Sequence, residues 1–223
     1  MVVKFLGKQK PAQALAAFTL VEMLVVITII AVLVGAGISL IGGTGVQSRK
    51  AGADMISGMV DQARTLAITT RSNVYLVIAE PGTLQGQDER CRLGLLREIT
   101  IPPVNPRDPP TKELQLVRRW QTLNSGVVLI PGDVDGVPNA LIQKVDMIFT
   151  SNKKPIRASV YQLAINSLGS LTLPEGSRPV VLRLAEGAYR NGSPSPNKVA
   201  DGQGIAETQI TIGRVIARPY RSN

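Results

Sequence analysis

Between Lys10 and Arg49 the chain carries one charge, Glu22. Within that interval lies the run Phe18-Thr-Leu-Val-Glu-Met-Leu-Val-Val-Ile-Thr-Ile-Ile-Ala-Val-Leu-Val-Gly-Ala-Gly-Ile-Ser-Leu-Ile41. As a helix it would be about 36 Å long, enough for a hydrocarbon core of roughly 30 Å. It is apolar on every side, which argues against a helix lying on a surface. The run therefore predicts a membrane-spanning helix over 18–41. Lys4, Lys8 and Lys10 before it, against Arg49 and Lys50 after it, lean toward a cytoplasmic N-terminus. The same residues allow a second reading as a secretory signal peptide cut near Val34-Gly35-Ala36. Glu22 argues against that reading, because a carboxylate at the centre of an inserted helix costs about 2.5 kcal/mol or more, and less toward its end.

The rest of the composition excludes more than it selects. With 223 residues there is room for one ordinary domain and an attachment. The chain has no His, so Ser-His and Cys-His nucleophile pairs and imidazole-bound zinc are excluded. Cys91 is the single cysteine and can form no internal disulfide or thiolate metal cage. The formal charge of +9 fits either an anionic partner or a basic surface.

Gly42-Gly43-Thr44-Gly45 should soften any helix continuing past Ile41. Helical spacing then returns at Ile56, Met59, Val60, Ala63, Leu66, Ala67 and Thr70, an apolar stripe that predicts a one-sided helix from about Gln47 to Arg71. From Val74 onward short apolar runs alternate with Gly, Pro, Asn and Asp clusters. Strands are expected at Val74–Ala79, Arg92–Ile99, Leu116–Thr122, Val127–Ile130, Val145–Thr150, Ser159–Asn166, Ser170–Leu173, Val180–Ala185 and Gln209–Ala217. Ile101–Pro110 and Gly187–Glu207 read as exposed loops. The fold class expected is α+β: a long N-terminal transmembrane helix followed by an antiparallel β-sandwich-like domain, its sheets packed as a sandwich or a half-open barrel. The segments are a leader at 1–17, the spanning helix at 18–41, a hinge and amphipathic helix at 42–71, and a β-rich domain at 72–223.

Ala17-Phe18-Thr19-Leu20-Val21-Glu22, behind a Lys-bearing leader and ahead of an unbroken apolar run, resembles the processing motif of type IV prepilins and type II secretion pseudopilins. The resemblance implies cleavage between Ala17 and Phe18 by a prepilin peptidase and methylation of the new Phe18 amino terminus. Ala17 stands where the family normally has Gly. It also implies that Glu22 pairs, during assembly, with the Phe18 ammonium of a neighbouring subunit. Loss of one partner of such a buried pair typically costs about 3–5 kcal/mol. The later order of elements, with Trp120 before Gly126-Val-Val, Gly169 and Gly213-Arg214-Val215, is similar to the minor pseudopilins of the H type and to transformation minor pilins. The implied function is a structural minor subunit stored in the inner membrane as a single-pass protein, with its C-terminal domain outside the cytoplasm. Its implied partners are other pilin or pseudopilin subunits and an inner-membrane assembly platform.

Three other constellations invite comparison with chemistry. Gly132-Asp-Val-Asp-Gly136 with Asn139 has the alternating oxygens of a calcium loop without its closing Glu, and Asp-Gly also makes turns, the favoured reading. No cofactor or metal is therefore expected. Lys153, Lys154 and Arg157, and Arg214, Arg218 and Arg221, could meet phosphates or simply be solvated. Some transformation minor pilins bind DNA through a C-terminal Gly-Arg-x-Arg element; here Ile216 stands where the second Arg would fall and Arg218 comes two places later. A DNA-binding minor pilin using Arg214 and Arg218 is the alternative function. No catalytic constellation is evident, and an enzyme is not expected.

Overall fold

The computed structural model describes residues 20–41, 44–86, 89–103, 105, 107–198 and 204–222. The chain divides into two units, 1–43 and 44–223. In the first, helix α1 covers Leu20–Ile41. Leu, Met and small residues favour helix, and the β-branched residues among them are tolerated at modest cost. The Thr28 hydroxyl donates back to the Leu24 carbonyl at 2.7 Å instead of competing with the helix.

The second unit begins with helix α2, Thr44–Thr70. Its stripe of Ile56, Met59, Val60, Ala63 and Ala67 is buried, together with Ala53. The helix stops where Arg71 turns left-handed at φ 49° and the Ser72 amide reaches back to the Ala67 carbonyl. Among the described residues twelve strands follow: β1 (Val74–Ala79), β2 (Arg92–Ile101), β3 (Thr111–Leu116), β4 (Gln121–Thr122), β5 (Val127–Ile130), β6 (Val145–Ser151), β7 (Lys154–Ile165), β8 (Leu171–Leu173), β9 (Val180–Arg190), β10 (Ser193–Pro196), β11 (Glu207–Ile212) and β12 (Pro219–Ser222).

β1 pairs with β2 on one edge and with β7 on the other. Because β2 pairs β3, β3 pairs β6 and β6 pairs β7, five strands close into a ring. The β3–β6 junction is parallel and the other four are antiparallel. Alternation along β1 sorts its side chains: Tyr75, Val77 and Ala79 join the barrel interior with Leu96, Met147, Phe149 and Val160, whereas Val74, Leu76 and Ile78 face outward into a larger core. That larger core also takes the stripe of α2, β5, and inward residues of β9 and β11 such as Leu182, Leu184, Ile210 and Ile212. The second sheet runs β10-β9-β11-β12, with β5 beside β9. α2 is thus buried between a barrel wall and an open sheet.

The fold-class expectation requires correction. The β domain is a closed five-stranded barrel with an added sheet instead of an antiparallel sandwich, because β1 finds partners on both edges and the barrel closes through a parallel pair. In place of one long N-terminal transmembrane helix, helical structure among the described residues comprises two elements of 22 and 27 residues. Among the described residues no helix is long and apolar enough to cross a membrane. α2 carries Arg49, Lys50, Asp54, Asp61 and Arg64. The assignment of 18–41 as a transmembrane segment, and the single-pass inner-membrane localisation resting on it, are therefore not supported. Gly42 and Gly43, half of the expected hinge, lie outside the described residues. The region expected as a loop at Gly187–Glu207 instead contains the end of β9 and all of β10.

Candidate functional site

α1 supplies the largest run of exposed apolar side chains. Leu20 is 82% exposed, Val21 69% and Ile27 65%, and Met23, Leu24, Ile29 and Ile30 are also exposed. Glu22 lies in the first turn, where a carboxylate complements the positive end of the helix dipole. A helix apolar all round has no inherent solvent face, and covering each such side chain is worth about 1.5–3 kcal/mol. The cleavage and methylation positions expected at Ala17 and Phe18 lie outside the described residues.

The two arginines of the expected C-terminal element behave differently. Arg214 lies half-buried across the β8–β9 connection: its Nε donates to the Arg178 carbonyl at 2.6 Å and its Nη1 to the Pro174 carbonyl. Burial lowers its pKa. Arg218 is exposed, with its guanidinium 5.9 Å from the centre of the Tyr220 ring. Arg221 reaches Asp54 on α2 at 2.7 Å. The first and last of these cations are already engaged in holding backbone or helix.

Gly132–Asn139 forms a tight hairpin turn. Val134 and Val137 exchange backbone hydrogen bonds of 3.1 and 2.7 Å, while Asp135 and Gly136 take φ of 48° and 75°. Asp133 Oδ1 accepts from the Asn139 amide at 2.8 Å. Asn139, buried, donates from Nδ2 to the Ile130 and Gly132 carbonyls, each at 2.9 Å, and accepts from Leu141 N at 2.8 Å. Its oxygen and both amide hydrogens are committed to backbone. Among the described residues no cluster of three or more His, Cys, Asp or Glu could hold a metal ion.

Three clusters hold the perturbed titrating groups other than Arg214. Glu98 accepts from Asn73 at 3.2 Å and from Tyr75 at 3.5 Å and meets Lys112 at 2.6 Å. The Lys112 hydrogen bond draws its pKa below the usual carboxylate range, while burial and Glu98 raise that of Tyr75. Lys144 meets Glu80 at 2.5 Å, which raises the lysine pKa. Its Nζ also lies 5.5 Å from the centre of the Tyr161 ring, whose pKa burial raises. Cys91 donates to the Tyr189 hydroxyl at 2.8 Å, and that oxygen also accepts from Leu129 N at 3.1 Å. Burial pushes the thiol up to about 12 and raises the phenol as well. A thiol held neutral by burial packs as a small apolar side chain.

One arrangement was not read from the sequence. Lys153, Lys154 and Arg157, at or near the β6–β7 turn, share an end of the barrel with Arg92, Arg118, Arg119 and Trp120. The consecutive Arg118-Arg119-Trp120 is the local signal that could have pointed to it. Compared with known proteins, the chain matches no family model, no curated protein and no solved structure.

Proposed function

We propose that this chain is a structural subunit of a pilin-like filament whose activity is assembly, with the helix α1 as its joining element. The observation that carries the reading is the exposed apolar surface of α1 with one carboxylate, Glu22, in its first turn. In a filament, the equivalent helices of neighbouring subunits cover that surface by van der Waals packing. A prepilin peptidase releases the 1–17 leader at Ala17–Phe18, and the new Phe18 ammonium meets a neighbour's Glu22. The pairing fixes the axial stagger between subunits, since desolvating either charge alone is unfavourable by several kcal/mol. The barrel and its added sheet then face other subunits or cargo.

The test is incorporation into filaments. Glu22→Ala should leave processing intact, with mass spectrometry showing a mature chain beginning at Phe18, and should reduce the amount recovered in sheared filaments. A mature chain beginning at Gly37, an uncleaved leader in cells with an active prepilin peptidase, or wild-type recovery of the variant would each count against the reading.

A further inference from the structure

Trp120 lines two clefts at the end of the barrel where β6 turns into β7. One, about 560 Å³, is walled by Arg118, Arg119, Ser151 and Asn152. The other, about 320 Å³, brings Gln85, Arg92 and Arg157 together with the indole. Both volumes are within the range that holds small ligands. No carboxylate lines either cleft among the described residues.

None of the four guanidiniums takes part in the ion pairs found among the described residues. Arg118 makes a long 3.4 Å contact to Gln62, and Arg92 donates one Nη2 bond of 3.1 Å to the Gly86 carbonyl. The Arg92 Nε is buried without a hydrogen-bond partner. Lys153 and Lys154 add charge at the hairpin tip, where Asn152 and Lys153 take positive φ. Like charges gathered around a cleft concentrate a positive potential that an anion relieves. The indole is held in place by its own packing: Phe149 lies 5.8 Å away between ring centres, and Gly94 leaves room that any Cβ would take, since such an atom would stand 2.8 Å from the ring.

We infer that this pair of clefts binds single-stranded nucleic acid, with phosphates held by the arginines and a base stacked on the partly buried Trp120 where its ring lines the clefts. The guanidinium fork suits phosphate oxygens, and an aromatic platform between basic walls accepts any base. An acidic peptide would use the arginines and leave the indole uncovered. A duplex keeps its bases stacked on one another. The inference is independent of the assembly reading and uses neither Arg214 nor Arg218.

The chain has a single tryptophan, so its fluorescence reports on this site alone. Titration of the full-length protein with a thymidine 12-mer should quench that fluorescence saturably. With three phosphate contacts at about 0.7 logarithmic units each, affinity should fall roughly 20-fold between 50 and 200 mM salt. The triple variant Arg118→Ala/Arg119→Ala/Arg157→Ala should keep its circular dichroism and melting temperature and bind at least ten-fold more weakly, whereas Arg190→Ala should bind as the parent does. Absence of quenching, unchanged affinity in the triple variant, or equal quenching by polyglutamate or by a duplex of the same length would overturn the inference.

Discussion

Asn139 shows how far a residue's role depends on what surrounds it. The alternation of Asp133, Asp135 and Asn139 is common to turns and calcium loops, so composition alone left two readings. What separates them is the direction of the amide, which points inward to carbonyls of its own loop. Asn139→Ala would strand two carbonyls and the Leu141 amide. It should destabilise the fold by about 3 kcal/mol in urea unfolding, given 1–3 kcal/mol for each buried group left unsatisfied. Gly94→Ala should also destabilise, by about 1–3 kcal/mol, because the added methyl meets the Trp120 ring. Cys91 makes a pH-dependent case. Its folded pKa lies above the unfolded value, so its contribution to stability is complete below about pH 8.5 and is lost as pH rises toward 12. In the native protein it should resist alkylation by iodoacetamide at pH 8 and react only on unfolding. Rapid native labelling would contradict the burial argument.

Elements with a clean period were legible in sequence; those whose reason lies across the molecule were not. The stripe at Ile56, Met59, Val60, Ala63 and Ala67 is the buried face of α2, and the runs Val74–Ala79 and Val127–Ile130 are β1 and β5. β3 was missed because Thr111-Lys-Glu-Leu-Gln-Leu116 is polar and largely exposed, with only Leu114 and Leu116 packed against the interior. The strand expected over Leu116–Thr122 is realised only at its ends, where Leu116 closes β3 and Gln121–Thr122 form β4. β10 was missed because Ser-Pro-Ser-Pro is compatible only with an edge, where its missing amides face away from β9. Pairing of β3 with β2 brings Lys112 beside Glu98. Lys112→Ala should therefore raise the Glu98 pKa, measured by NMR titration of the carboxyl. The sign follows from the depressed folded value: stability from Glu98 is present above its unfolded pKa near 4.3 and is lost as pH falls through the folded one. The variant should lose that stability at a higher pH than the parent.

At the scale of the whole molecule, the apolar run dominates the sequence, and the closure of the barrel leaves no local signal in it. Barrel closure depends on β1 meeting β7, Val74 against Ile165, a separation no local pattern encodes. The core of the second unit is complete within 44–223. A chain lacking residues 1–43 should unfold cooperatively, with a melting temperature within about 2 °C of the same transition in the full chain, a difference worth less than about 1 kcal/mol at this size. Broad, non-cooperative melting of the shortened chain would show that the first unit contributes to that core.

The barrel's four antiparallel junctions have five to seven residue pairs each, whereas β3 meets β6 through the single pair Gln115–Thr150. A ring closed in this way has a clasp. Pulled or warmed, it should part there first and leave the ribbon β3-β2-β1-β7-β6 otherwise whole. The clasp borders the Trp120 clefts, for Leu116 at the end of β3 and Ser151 at the end of β6 both line the larger one. A strand of phosphates lying across Arg119 and Asn152 would bridge the two sides of the clasp, and its arrival should be felt as slower hydrogen exchange along β3 and β6, with the rest of the barrel unchanged.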